Sequence, residues 1–212
     1  MTDYIESLNW RYAVKKYDPA RKVSDIDIEK LKEAVQLSVS SMGLQPYKVI
    51  IVEDKDVKEK LADAFSGNDK NLAVAASHIF IFANEVNVNE AHIDSYIENI
   101  AETRGIAKED VSGFEASMKG YISSLTEEQK NNWTAKQAYI AMSGLINAAA
   151  VLRIDTTPME GFNAAGVNEI LKLEEKGLNA AVITTVGYRA DDDASQNLKK
   201  VRKPENELFI TI

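Results

Sequence analysis

The chain has 212 residues, 45% of them hydrophobic, which is enough for one sizeable core, and a single domain over residues 1–212 is expected. A net charge of −8 excludes a general attraction to nucleic acid, which leans on many lysine and arginine contacts to phosphate, so any anionic ligand must be held by a local basic cluster. With no cysteine, disulfides, zinc-thiolate sites, iron–sulfur clusters and thiol nucleophiles are excluded together, and redox chemistry needs a borrowed cofactor.

Met1 to Glu6 offers neither a basic start nor an apolar run, so no signal peptide is expected and the protein is read as cytoplasmic. Asp3 with Glu6 reads as a capping box opening a short helix, with Ile5, Leu8 and Tyr12 near one face and Arg11 and Lys15 near its end. Ser24 with Asp27 starts a second helix through Ile28, Leu31 and Val35, expected to end around Ser40-Ser41, before Gly43 and Pro46. Val49 to Val52 reads as a strand buried on both faces, followed by a helix from about Asp56 to Phe65. After the Ser66 to Asp69 turn and a short helical stretch, His78 to Ala83 reads as a second buried strand.

The polar segment from about 85 to 125 reads as a helical excursion from the core. Thr126 with Gln129 caps a long helix through Trp133, Ile140, Leu145 and Leu152, apolar nearly all round in its second half and expected to be central. Its most apolar stretch, Ala138 to Leu152, is too short to span a bilayer, and no membrane is expected. A short strand, Asp155 to Pro158, leads through Glu160-Gly161 into a helix and then the strand Ala180 to Tyr188. The Asp191 to Asp193 loop precedes a basic cluster of Lys199, Lys200, Arg202 and Lys203, and Leu208 to Ile212 reads as a final strand. A terminal strand reached without a preceding helix suggests pairing with another subunit, and the whole chain reads as one α+β unit.

Several familiar motifs are missing. No Gly-x-Gly pair occurs, against a Rossmann dehydrogenase, and Gly161 to Gly166 has the Walker spacing but Val167-Asn168 where Lys-[Ser/Thr] would stand. His78 and His92 have no metal-binding spacing, and His78, on a strand, reads as structural. Taken alone, Arg11 and Lys15 would be read as a solvated helix face, and Lys200-Val201-Arg202 as an exposed basic turn.

Six pieces in order carry more weight together: Arg11-Tyr12-Ala13-Val14-Lys15-Lys16-Tyr17-Asp18, Ser40-Ser41-Met42-Gly43-Leu44-Gln45-Pro46-Tyr47, Ala76-Ser77-His78, Ala135-Lys136-Gln137, Pro158-Met159-Glu160-Gly161-Phe162 and Lys200-Val201-Arg202. This series resembles the nitroreductase family of FMN-dependent NAD(P)H oxidoreductases over essentially the whole chain. The resemblance implies a mostly antiparallel central sheet flanked by helices, and an intertwined homodimer exchanging its C-terminal strand, with two FMN sites at the subunit interface.

It further implies that Arg11, Lys200 and Arg202 hold the FMN phosphate, a role suited to arginine's fixed fork of donors. Tyr12 and Ala13 would line the cofactor, although Ala13 stands where other members often have a serine and offers no hydroxyl to the ribityl chain. Lys15 would sit by the pyrimidine edge of the flavin, where its charge favours the reduced form. Pro158, Met159, Glu160 and Gly161 would place a backbone N–H at flavin N5. Asn68 and Asn71 would address the ring edge, with Lys70 an alternative. Ser40 and Ser41 would reach the flavin of the opposite subunit, and Gln137 would orient the site from the long helix.

The implied reductant is NADPH or NADH, in ping-pong exchange with a small aromatic or quinone-like acceptor, and no side chain need act as a catalytic nucleophile. Tyr96, Phe114 and Tyr121 of the excursion are candidates to stack on the acceptor. A non-catalytic flavin-binding protein, or a flavin-dependent dehalogenase or oxidase of the same superfamily, stays open at this level.

Overall fold

In the computed structural model residues 4–212 are described, so the Asp3 half of the expected capping box lies outside them. The chain opens with α1 (Tyr4–Trp10) and α2 (Asp25–Gln36), the latter capped by Ser24, whose side chain accepts from the Asp27 N–H. Strand β1 (Tyr47–Val52) is followed by α3 (Lys55–Ala62), α4 (Asp69–Ala75) and β2 (His78–Glu85). Helices α5 (Glu90–Arg104) and α6 (Ser112–Ser124) come next, then α7 (Glu127–Val151), β3 (Asp155–Met159), α8 (Ala164–Leu171), β4 (Leu178–Gly187) and α9 (Glu205–Leu208).

Among the described residues the strands form one antiparallel sheet in the order β1-β2-β4-β3. Alternation along β2 splits its side chains between two cores. Ile79, Ile81 and Ala83 pack with Leu61, Leu72 and Val167, from α3, α4 and α8. Phe80 and Phe82 face Leu31 and Val35 of α2 and Ala138, Ala141 and Leu145 of α7. The small residues on that face of α7 let it lie close to the sheet. Its first turn carries a reciprocal cap, Thr126 Oγ1 accepting from Gln129 N at 3.2 Å and Gln129 Oε1 from Thr126 N at 2.9 Å. Helices α5 and α6 share a separate cluster of Val88, Ile93, Ile97, Ile100, Met118 and Ile122.

Four expectations are corrected. Helix α2 ends at Gln36 rather than at Ser40-Ser41, because beyond Val35 the next large apolar residues, Leu37 and Val39, find no facing surface in the chain and stay exposed. Strand β1 is not buried on both faces: it is an edge strand, and Val49, Ile50 and Ile51 are half-buried. Arg11 and Lys15 do not sit on a helical turn, since α1 stops at Trp10 and the chain then runs extended with a bend at Lys15. In the terminal segment only the start is corrected: Leu208 closes the short helix α9 rather than opening a strand, while Phe209 to Ile212, expected to pair with another subunit, join no ladder among the described residues. No helix among the described residues is long and apolar enough to cross a membrane.

Candidate functional site

The extended segment after α1 is laid against the sheet by two bridges of opposite sense. Ala13 pairs with Thr156 of β3 in parallel, and Thr157 Oγ1 donates to Val14 O at 2.9 Å. Past the bend, Tyr17 pairs with Arg189 in antiparallel fashion, with Asp18 N donating to Tyr188 O and Ala190 N to Lys16 O. Val14 and Tyr17 turn into the core, where the Tyr17 hydroxyl donates to Thr185 O at 2.9 Å. Arg11, Tyr12, Ala13 and Lys15 are left along the wall of a cavity of about 400 Å³, whose other wall is Ser195, Gln196, Leu198, Lys199, Lys200 and Arg202. The two ends of the chain thus meet here, and four cations predicted as ligand contacts line one hollow.

The hollow is dominated by positive charge. Burial, then repulsion from Arg202, pushes the Arg11 guanidinium below its usual range, Asp155 opposing. Burial, then Arg11 and Arg202, does the same to the Lys200 ammonium. Lys200 Nζ donates to Leu8 O at 2.6 Å and to Arg11 O, so it ties α1 to the C-terminal stretch. Arg11 Nε is buried with no hydrogen-bond partner, a costly state for a charged donor unless a ligand supplies the acceptor.

Two acids outside the sequence expectations organise this wall. Arg189 forks onto the buried Asp155, with Nη2 donating to Oδ1 at 2.6 Å and Nε to both oxygens at 2.9 and 3.1 Å, while its backbone N–H reaches Oδ2 at 2.8 Å. The same guanidinium lies over the rings of Trp10 and Tyr12, at 4.3 and 4.5 Å from their centroids, which fixes the residues on either side of Arg11. Asp193, also buried, accepts from Lys15 N at 2.7 Å, Lys16 N at 3.3 Å and the Tyr12 hydroxyl at 3.1 Å on Oδ2, and from Ser195 N at 2.9 Å on Oδ1. The sequence signal for it was the acidic run 191–193 just before the basic cluster, read as a plain loop. Asp155 was read as the start of a strand and nothing more.

Of the remaining expected cofactor residues, Asn68 joins the segment directly, its Nδ2 donating to Lys15 O at 2.9 Å, and Asn71 Nδ2 reaches Asn68 Oδ1 at 3.4 Å. Pro158 and the buried Met159 close β3, and Glu160 and Gly161 follow exposed. Glu160 Oε1 accepts from the Tyr139 hydroxyl of α7 at 2.5 Å; burial and that carboxylate push Tyr139 up to about 12. Ser41 N donates to Gln137 Oε1 at 2.7 Å, and Ser40 Oγ accepts from Gln45 N, so these three form one cluster apart from the basic wall. Gly43 in that loop has φ +73°, and a Cβ there would run into the Tyr96 hydroxyl.

The three aromatic residues expected to stack on an acceptor are not brought together within one chain. Tyr96 lines a cavity of about 730 Å³ with Leu44, Gln45 and Tyr47. Tyr121 packs edge-on to Trp133 and lines another of about 480 Å³, and Phe114 is exposed on α6. His78 is buried with Nδ1 against Ser77 Oγ, as a structural residue would be. Among the described residues no cluster of histidine and carboxylate side chains is arranged to hold a metal ion.

Comparison with known proteins gives a consistent result. The model of the nitroreductase family matches residues 8–188. The major NAD(P)H-flavin oxidoreductase of Aliivibrio fischeri is 34% identical, over 97% of this chain and 96% of that protein. A Staphylococcus epidermidis protein assigned as an NAD(P)H nitroreductase is 33% identical, over 97% of this chain and 94% of its own length. In three dimensions the chain is similar to an Exiguobacterium sibiricum protein assigned as a nitroreductase and solved in complex with FMN, with a TM-score of 0.85 at 18% identity, covering 100% of this chain and 98% of that one.

Proposed function

The chain belongs to the nitroreductase family, and from that premise we propose that it is an FMN-dependent NAD(P)H oxidoreductase reducing nitroaromatics, quinones or related flat acceptors. One observation carries the reading: Arg11, Lys200 and Arg202 line one hollow in which the buried Arg11 Nε lacks an acceptor, and a phosphate monoester supplies both the missing acceptor and the missing charge. Full-length similarity to an NAD(P)H-flavin oxidoreductase supports the same cofactor.

When bound, FMN supplies a ring that takes hydride from NAD(P)H and gives it to an acceptor. Everything else falls to the chain. Arg11, Lys200 and Arg202 hold the phosphate, and Tyr12 and Ala13 flank it. Lys15, with its backbone held between Asp193 and Asn68, would bring a positive charge to the flavin ring. Glu160 and Gly161 would present backbone to the ring, and the Tyr139 to Glu160 hydrogen bond steadies that turn. With reductant and acceptor taking turns at one site, the kinetics would be ping-pong.

A second copy of the chain completes the site in this reading. The exposed apolar residues Leu198, Val201, Leu208, Phe209, Ile210 and Ile212 form a C-terminal arm suited to lie across another protomer. Ser40 and Ser41 would then reach the partner's flavin, and Gln137, which accepts from Ser41 N, would orient that loop from α7. An anaerobic absorbance spectrum tests the proposal. A flavin band should bleach with NADPH or NADH and return on adding a nitroaromatic or quinone. Failure to take up FMN after reconstitution overturns it.

A further inference from the structure

The structure assigns to Asp193 the role of positioning residue for the cofactor wall: its carboxylate, set between the two ends of the chain, bends the backbone at Lys15 and so aims Tyr12 and Lys15 at the cavity that Lys200 and Arg202 close from the other side. The inference rests on the FMN reading and adds to it a residue that does not line the cavity.

The geometry is specific. One oxygen, Oδ2, receives two consecutive backbone N–H groups, those of Lys15 at 2.7 Å and Lys16 at 3.3 Å, and the Tyr12 hydroxyl at 3.1 Å. Consecutive N–H groups converge on one acceptor where the chain curves around it, and the bend in the segment lies at Lys15. The other oxygen, Oδ1, takes the Ser195 N–H at 2.9 Å and starts the turn that leads to Lys200 and Arg202. On the far side of the same peptide, Asn68 Nδ2 holds Lys15 O at 2.9 Å, so Lys15 is gripped at both its N–H and its C=O while its side chain stays exposed.

Asp193 is 3% exposed, and burial alone would raise its pKa. The N–H groups of Lys15, Ser195 and Lys16 and the Tyr12 hydroxyl outweigh that and hold it below the usual carboxylate range, so it is anionic at neutral pH. An acid beside an anion site would ordinarily weaken it. Here the charge is directed into four donors, and its effect on the ligand passes through the positions of the cations.

Asparagine separates this role from plain turn capping. It caps a turn as well as aspartate does. It has a single acceptor oxygen, so in either orientation its NH₂ group confronts the N–H of Ser195 or the N–H pair of Lys15 and Lys16. The test is FMN titration into the apoprotein of wild type, Asp193→Asn and Asp193→Ala, by flavin fluorescence, with the midpoint potential of bound FMN measured at saturation.

Both variants should bind FMN at least tenfold more weakly than wild type, with a more negative midpoint potential, while their far-ultraviolet circular dichroism stays that of wild type. Wild-type affinity and potential in Asp193→Asn overturn the inference and leave the cofactor reading standing. A wild type that takes no FMN overturns both. Should neither variant fold, Asp193→Glu keeps the charge but moves the carboxylate by one methylene. A folded Asp193→Glu with weakened FMN binding and a shifted potential supports the role, and one identical to wild type refutes it.

Discussion

Replacing Asp155 with alanine should be the most damaging single change near the site that touches no ligand. The carboxylate is buried at the start of β3 and receives the Arg189 backbone N–H together with both the Nε and Nη2 donors of its side chain. Removing it strands a guanidinium that is mostly shielded from water and still sandwiched against Trp10 and Tyr12. Breaking one partner of a buried pair costs about 3 to 5 kcal/mol, which for a domain of this size is roughly 6 to 20 °C in Tm. The assay is urea unfolding of the FMN-saturated protein, with Arg189→Met and the double variant completing a cycle. Because exchanging both charges for apolar groups is often near neutral, the double variant should lose less than Asp155→Ala alone. A loss under about 1 kcal/mol for Asp155→Ala, or strict additivity in the cycle, refutes the reasoning.

Two further outcomes are expected. Arg202→Ala should weaken FMN binding about tenfold, since one charge-assisted hydrogen bond contributes about 1.5 kcal/mol, and added salt should narrow the gap between variant and wild type because Arg202 is exposed; isothermal titration at two salt concentrations decides it, and unchanged affinity removes Arg202 from the phosphate site. Lys58, buried with Nζ donating to Ala76 O at 2.7 Å, is pushed down from 10.5 to about 8 by burial and by Lys22. Its contribution to stability is therefore complete above the unfolded-state value of 10.5 and is lost as pH falls through about 8. Urea midpoints should rise between those two pH values in wild type and rise less in Lys58→Met, and parallel profiles would show that Lys58 titrates normally.

Much of the fold was legible where a local cause sufficed. Ser24 with Asp27 and Thr126 with Gln129 mark helix starts because a side chain meets a backbone N–H three residues away, and that needs no tertiary partner. The apolar run from His78 to Ala83 was read as a buried strand from its composition, and β2 lies inside the sheet. What sequence could not supply was the neighbour of each element. Val49 to Val52 has the composition of a central strand and lies at an edge, since only strand order decides that. Arg11 and Lys15 look like a helical pair until β3 pulls the segment straight through Ala13 and Thr156, which are 143 positions apart. Lys58 was passed over because a lysine in an amphipathic helix is ordinarily solvated.

The candidate site divides along the same line. Cations that would touch the ligand were picked out through the family resemblance, since taken alone they read as solvated; the acids that aim those cations were not, because an aspartate in a loop or at a strand end has many ordinary uses. The net charge of −8 sharpens the point. Carboxylates more than about 8 Å from the cavity are screened at physiological ionic strength, so they neither repel a phosphate strongly nor help to orient it. Affinity for an anion then depends on how closely Arg11, Lys200 and Arg202 converge, against the mutual repulsion that adds to burial in lowering the pKa of Arg11 and Lys200. Without a ligand that repulsion tends to spread the wall. Lys200 bound to Leu8 O and Arg11 O resists the spreading from within the wall, and Arg189 bound to Asp155 and Asp193 bound to Lys15 resist it from outside the cavity. The Lys200 and Asp193 bonds each join the two ends of the chain, so the cation cluster comes into existence only when those ends have docked, and an anion that binds there reports the completed fold.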